Sequence, residues 1–280
     1  MYIQSPGRVP LLELDHELGS DLEPTRRRRA RASLTVRTFA VRPGPWLGSF
    51  GVREAGSLGY LIFDGLVARD VLVGKRRSTE LLGPGDLVQP WTLADLPPGL
   101  ATDTQRRSLG PCHLAFLDQR VVVNAAPWPE ILARLVGRAG ARTHRLAQQR
   151  AILQSPRLDE RLVAMLTHLA GRFGRPTTDG LLLTLRLSHE ELARLVAARR
   201  PSVSRSLAAL AADGVVRRDE SGGYLITGGE AVLARMGYRA GSATVDRPAD
   251  CPGRPPAPSL ADFGAALAPG RGEGPRPTHA

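Results

Sequence analysis

Leu187-Ser188-His189-Glu190-Glu191-Leu192-Ala193-Arg194-Leu195-Val196 and, after Ala197-Ala198-Arg199-Arg200, Pro201-Ser202-Val203-Ser204-Arg205-Ser206-Leu207-Ala208-Ala209-Leu210 decide how this chain is read. The first run opens as a capping box. Ser188 offers its hydroxyl oxygen to an orphan amide of the first turn, and Glu191, three residues on, reaches back to the cap. Leu192, Leu195 and Val196 supply the buried face, and Ala193 is small enough for a second helix to cross closely. Pro201 is placed as the first residue of that second helix, where its missing N–H costs nothing. Val203, Leu207 and Leu210 turn inward. Arg200, Ser202 and Arg205 are left facing out at the N-terminal end, with Arg199 just ahead of them. Two short helices joined by a tight turn, the second armed with arginine and serine at its exposed start, fit the major groove of DNA. Arginine can donate both forks to guanine O6 and N7, while serines and a helix N-terminus hold phosphate oxygens.

Downstream, Asp213-Gly214-Val215-Val216-Arg217-Arg218, a glycine-containing turn and Tyr224-Leu225-Ile226-Thr227 read as strand, turn and strand, a wing beside the groove. Arg217 and Arg218 are expected at the DNA backbone. Glu190, Glu191, Asp213, Asp219 and Glu220 offset much of the local positive charge. A helix–turn–helix that docks on a protein, or serves only as scaffold, therefore stays open as an alternative. It predicts no salt-dependent affinity for DNA, which phosphate contacts require.

Upstream of this block, residues 127–155 have a helical period. Leu132, Leu135, Ala139, Arg142, Leu146, Gln149 and Leu153 fall at heptad-like spacing and predict a dimer seam. Arg142, Gln149, Gly137 and Gly140 count against the seam, and a helix packed on its own β domain is the alternative. A second helix is expected over 159–173, closed by Gly174-Arg175-Pro176. From 34 to 126 short apolar runs are broken by glycine and proline, which predicts an all-β sandwich or barrel. Within it Asp64-Gly65 reads as a hairpin turn. Residues 1–33 read as a flexible lead-in whose Arg26–Arg31 run is a solvated face, and 239–280 as a disordered Pro/Gly-rich tail.

Composition narrows the choices. Lys+Arg 38 against Asp+Glu 27 gives +11, which favours polyanionic partners. Lys75 is the only lysine, so this charge is arginine. With 2 Cys, Cys112 and Cys251, one chain cannot build a CxxC zinc site or a cysteine-ligated cluster. His16, His113, His144, His168, His189 and His279 show no metal-ligand spacing, so a cupin-like enzyme is the weaker rival and would declare itself by bound metal. Trp46, Trp91 and Trp128 read as core. No apolar run is long enough to span a membrane, and the N-terminus has no secretory pattern, so a cytoplasmic protein without a membrane partner is expected.

Ser188 to Leu210 with the following wing resembles the winged helix–turn–helix of the Crp/Fnr transcription regulators, and the order of segments over roughly 34–235 is theirs. The resemblance implies an α+β fold. A cyclic-nucleotide-binding-like β-roll of the double-stranded β-helix or jelly-roll type (34–126) comes first. A dimerisation helix (127–155) and a winged helix–turn–helix DNA-binding domain (156–238) follow. It implies a sequence-specific regulator, not an enzyme, with no cofactor or metal. Arg200, Ser202 and Arg205 would read bases, with Pro201 replacing an acidic residue of some members. Ser188 and Ser204 would hold phosphates, and Arg199 and Arg217 complete the DNA-binding set. The implied partners are double-stranded DNA with a pseudopalindromic site and a second copy of the chain, with RNA polymerase and an unidentified small effector as further candidates. Two departures stand out. Ala197 occupies a turn position where glycine is common, at a cost of about 1 kcal/mol if φ is positive there. After Gly85-Asp86 the chain runs Leu87 to Pro98 with no Gly-Glu pair and no Arg-Ala-Thr or Arg-Ala-Ser. Arg106-Arg107-Ser108 keeps some positive charge nearby, but cyclic AMP is not the expected effector.

Overall fold

Two sheets make up the first half of the structure, a computed structural model that describes residues 2–4, 7–46, 56–89, 99–227 and Ala234. The expected tail, Trp91 and Cys251 lie outside these residues. Strands β1 (Tyr2–Gln4), β2 (Val9–Pro10), β3 (Thr35–Val41), β4 (Gly44–Pro45) and β5 (Gly59–Asp64) are followed by β6 (Val67–Val73), β7 (Arg76–Leu82), β8 (Leu87–Val88), β9 (Thr102–Ser108) and β10 (Cys112–Leu117). One sheet runs β1-β3-β10-β5-β8 with β2 alongside β3; the other runs β4-β9-β6-β7. Tyr60 fills the aromatic centre of one core, its ring 4.7 Å from Phe116 and edge-on to Phe39 and Trp46. Trp46 and Trp128 are both buried core residues. Cys112 is fully buried, and burial pushes its thiol up to about 12.

Asp64-Gly65 is not a hairpin, because β5 and β6 belong to different sheets. Gly65 turns the corner at φ +85, and a Cβ there would lie 2.4 Å from the Pro111 carbonyl oxygen. The tight hairpin is the next one along. Val73 faces Arg76 across Gly74-Lys75 in the β6–β7 pairing, with Gly74 at φ +58. Strand β9 carries no apolar alternation, yet it pairs with β6 along its whole length.

The N-terminal segment departs most from expectation. It folds as α1 (Leu11–Leu14), a 3-10 turn (His16–Gly19) and α2 (Pro24–Ser33). Leu11, Leu12, Leu18, Leu22, Ala30 and Leu34 are buried in a cluster shared with Leu117, Trp128 and Ile131. Much of the arginine run is spoken for. Arg26 pairs with Glu130, Arg31 with Glu13, and Arg27 donates to the carbonyls of Gly19, Ser20 and Leu22 at 2.8, 3.0 and 3.2 Å. A collar forms because the acids of 13–23 find arginines both in α2 and far along the chain.

Those distant arginines lie on α4 (Pro129–Leu153), which follows α3 (Gln119–Asn124). Arg134 holds Asp21 at 2.6 Å, and Arg138 holds Asp15 and Glu17. Part of the row expected as a dimer seam makes contacts within this chain, while Ala139 of the same row is exposed. Leu135 and Gln149 are buried, Arg142 grips Glu80 at 2.6 and 2.8 Å, and Gln149 Nε2 donates to the Thr79 carbonyl at 2.6 Å. Polar residues at the seam positions answer to polar groups of β7. The row left outside is Ala133, Val136, Gly137, Gly140, Thr143 and Ala147, with Val136 72% exposed.

The remaining elements are α5 (Leu158–Phe173), β11 (Gly174–Thr177), β12 (Gly180–Leu183), α6 (His189–Leu195), α7 (Arg200–Ala212), β13 (Val216–Arg218) and β14 (Tyr224–Ile226). Gly174-Arg175-Pro176 does end a helix, but it also opens a strand, and the wing is a sheet ordered β11-β12-β14-β13. Ala68 and Leu81 of the β-roll belong to the same apolar cluster as Leu166, Leu195 and Val203. The two halves share a core.

Candidate nucleic-acid interface

The capping box of α6 is complete. Ser188 Oγ accepts from the Glu191 amide at 3.2 Å, and Glu191 Oε2 accepts from the Ser188 amide at 2.7 Å. The carbonyl just before the cap is held from the wing. Leu187 O accepts from Tyr224 OH at 3.1 Å and from Arg218 Nη2 at 2.9 Å. Arg218 also donates to Gly222 O at 2.6 Å and lies 4.2 Å over the Tyr224 ring. Arg218 is thus a strut of the wing rather than a residue held out to a backbone.

Between the helices the chain turns at Ala197, which sits at φ +51, a left-handed conformation that L residues with a Cβ avoid. The turn closes with the Ala198 amide donating to Ala193 O at 2.9 Å. A second stitch is His189 Nδ1 to Ser204 Oγ, 2.8 Å, across the crossing of α6 and α7. Burial first, then the charges of Arg218 and Arg200, hold His189 below the usual histidine range. The ring is neutral near pH 7. Nothing in the spacing of His189 and Ser204 announced this contact, since a 15-residue separation across a turn has no periodic signal.

Helix α7 begins one residue earlier than Pro201, at Arg200, with Arg199 as its extended N-cap. Val203, Leu207 and Leu210 are buried. Arg199, Arg200 and Arg205 are exposed, and among the described residues none of the three guanidiniums has a hydrogen bond or ion pair. Ser202 is half-buried beside them. Ser188 Oγ accepts in the cap bond, so its O–H proton stays available to a further acceptor, whereas Ser204 Oγ is engaged by His189 Nδ1 and keeps a free proton only in the tautomer in which Nδ1 is the donor. Arg217 stands on the wing, 60% exposed, 3.4 Å from Asp179 of the β11–β12 turn. The geometry gathers three free guanidiniums at the start of one helix, with a fourth, loosely paired, on the wing.

Residues 160–233 match the family model of the Crp-like helix-turn-helix domain. In sequence the chain is similar to the CRP-like cAMP-activated global transcriptional regulator of Mycobacterium tuberculosis, 28% identical over 189 residues, spanning 66% of this chain and 83% of that one. A shorter stretch is 37% identical to the anaerobic regulatory protein of Bacillus subtilis over 65 residues, 23% of this chain and 27% of that one. Among solved structures the chain is similar to a CRP-family transcriptional regulator from Thermus thermophilus, at 25% identity and TM-score 0.52, covering 71% of this chain and 97% of that one. CooA from Carboxydothermus hydrogenoformans shares the fold, at 18% identity and TM-score 0.58, covering 79% and 94%.

Proposed function

We infer, from the premise that the chain is a Crp/Fnr-type transcription regulator, that it binds double-stranded DNA sequence-specifically as a homodimer on a pseudopalindromic site. The observation that carries this reading is the set of unpaired guanidiniums of Arg199, Arg200 and Arg205 at the start of α7. Many arginines of this chain are matched to acids, and three left free together at the start of one helix are available to an anionic partner outside the chain. Arg200, Ser202 and Arg205 take the base edges. Arg199, Ser188, Ser204 and Arg217 take phosphates.

The outward row of α4 serves the dimer in this reading. Val136 and the small residues around it would let two copies of the helix approach closely, and each copy would present one α7 to successive major grooves. Val136→Asp, which puts a charge into that contact, leaves a monomer, checked by sedimentation velocity. No catalytic residue, metal or cofactor enters the reading, and the setting is the cytoplasm, where the DNA is. RNA polymerase is the further partner through which such a protein acts. No helix among the described residues is long and apolar enough to cross a membrane. Cyclic AMP, named for the mycobacterial relative, is not assigned here, because the stretch after Gly85-Asp86, Leu87 to Pro98, has neither the Gly-Glu pair nor the Arg-Ala-Thr element of cyclic-nucleotide binders.

Selection from a random DNA pool by the purified protein tests the whole reading. Enrichment of a pseudopalindrome with half-sites ~10 base pairs apart is expected. Affinity that does not fall steeply with salt would sink it in favour of a protein-docking module.

A further inference from the structure

The β6–β7 hairpin is fastened to the helix–turn–helix along the length of α6. Glu191, early in the helix, meets Arg107 at 3.2 Å, and Arg107 is the β9 register partner of Ala68. Arg194, near the end of the helix, meets Asp70 at 3.3 Å, two residues further along β6. Helix and strand therefore advance together. Helix α6 ends at Leu195 and gives way to the turn at Ala197 and to Arg199, the cap of α7. Strand β6 runs on from Asp70 to Val73 and the Gly74-Lys75 turn, about 10 Å further at one strand rise per residue. The hairpin tip thus projects past the end of α6, on the side where the chain turns into α7. Side chains of a strand alternate in face, so Asp70, Leu72 and, opposite Leu72, Arg77 share the side that meets α6.

This tip is strongly basic. Lys75, Arg76 and Arg77 are consecutive and exposed, and among the described residues neither Lys75 nor Arg76 has a hydrogen bond or ion pair. Arg77 reaches Asp70 only at 3.9 Å, a carboxylate already engaged by Thr79 Oγ1 at 2.6 Å and by Arg194. One acid stands beside the tip, Asp103, which faces Leu72 from β9 and accepts from Gln105 at 3.0 Å. The tip stays positive after that offset. The pairing of Val73 with Arg76 and the positive φ of Gly74 hold these charges on a tight turn rather than a loose loop. Lys75 is also the only lysine of the chain. A compact ammonium on a flexible stem meets a phosphate as a point charge, without the planar fork by which arginine reads a base edge.

We propose that the β6–β7 tip is a second DNA contact, in which Lys75 and Arg76, with Arg77 behind them, hold backbone phosphates outside the base pairs that α7 reads. It rests on the DNA-binding reading above and brings the β-roll into the footprint. Contacts of this kind add affinity and salt dependence but no base preference.

The sole ε-amine of the chain allows a direct test. The full chain is acetylated with an amine-reactive ester, alone and on the selected duplex carrying one helical turn of flanking DNA, and Lys75 is followed by mass spectrometry. Lys75 labels several-fold more slowly on the flanked duplex, and at the free rate on a duplex trimmed to the selected half-sites. The Lys75→Gln, Arg76→Gln double variant unfolds like wild type, because neither side chain leaves an acid behind. It prefers the same sequence, and its log–log salt slope is shallower by about 1 for each cation removed. Labelling at the free rate on the flanked duplex, equal protection on the trimmed one, or an unchanged salt slope would overturn the proposal and leave selection by α7 standing. A wild type that selects no sequence would remove the regulator reading itself, and the hairpin contact with it.

Discussion

The collar around α4 and the start of α7 are both arginine-rich, and Arg26, Arg27 and Arg31 of the one use the guanidinium in the opposite way to Arg199, Arg200 and Arg205 of the other. Arg28 and Arg29 of the collar run stay exposed. In the collar Arg26, Arg27 and Arg31 are answered by Glu130, by backbone carbonyls and by Glu13, and α4 returns the favour with Arg134 and Arg138. At α7 the three guanidiniums face water unpaired. A run of basic residues therefore carries little information by itself. Whether acids lie within reach in the folded chain decides if it is internal mortar or an external surface.

The sharpest way to break this comparison is to remove an internal acid. Asp86 is 3% exposed and receives Arg145, Arg172 and the Gly83 amide. Asp86→Ala leaves two guanidiniums and an amide unanswered, and a loss of about 3–5 kcal/mol in denaturant unfolding is expected. A loss under about 1 kcal/mol would mean that water replaces the carboxylate freely. Next comes the external side. Arg200→Ala or Arg205→Ala should cost about 1–3 kcal/mol of affinity for the selected DNA and relax preference at one base pair, while unfolding stays within about 0.5 kcal/mol of wild type. Equal affinity for all sequences before and after the change would remove the base-reading role.

Two smaller effects concern how α7 is held. Ala197→Gly relieves the strain of φ +51 and should stabilise by about 0.5–1 kcal/mol, less whatever glycine adds to the entropy of the unfolded chain. A destabilised variant would show that the left-handed turn is not populated. The smallest effect is on pH. The folded chain keeps His189 neutral, so the unfolded chain takes up a proton first as pH falls through about 6.5. The stability linked to this group is present above that pH and is lost below it. His168, lowered mainly by burial, acts with the same sign. Comparing wild type with His189→Asn between pH 7 and pH 5 isolates the α6–α7 share, and parallel curves would show that His189 contributes none.

What was legible from sequence was whatever repeats at a local period. The capping box, the inward faces of α6 and α7 and the wing strands β13 and β14 follow from spacings of three, four and two. Ala197 stood out because one backbone position has one natural occupant. Contacts between distant segments were not legible. The collar looks like a lead-in until Asp15 meets Arg138, and the heptad-like row of α4 looks like a dimer seam until Glu80 and Thr79 appear opposite it. Asp64-Gly65 carries a genuine positive-φ signal, but the same signal serves a hairpin and a corner between sheets. Strand β9 has no apolar alternation of its own to announce it, and its pairing along β6 appears only in the folded chain. Arg218 shows the same limit at the site. Its role as a strut depends on Leu187, thirty-one residues earlier.

The pairing of Asp15 with Arg138 joins residues 123 positions apart, and this sets a timetable for the chain as it is made. A ribosome adding roughly 5–20 residues per second releases the collar several seconds before the helix that completes it. Until α4 arrives, Leu11, Leu12 and Leu18 have only part of their apolar enclosure, and the acids of 13–23 lack their distant arginines. The segment around Asp15 is thus fastened only once Arg138 has been made, by which time every strand of the β-roll up to Leu117 has been synthesised.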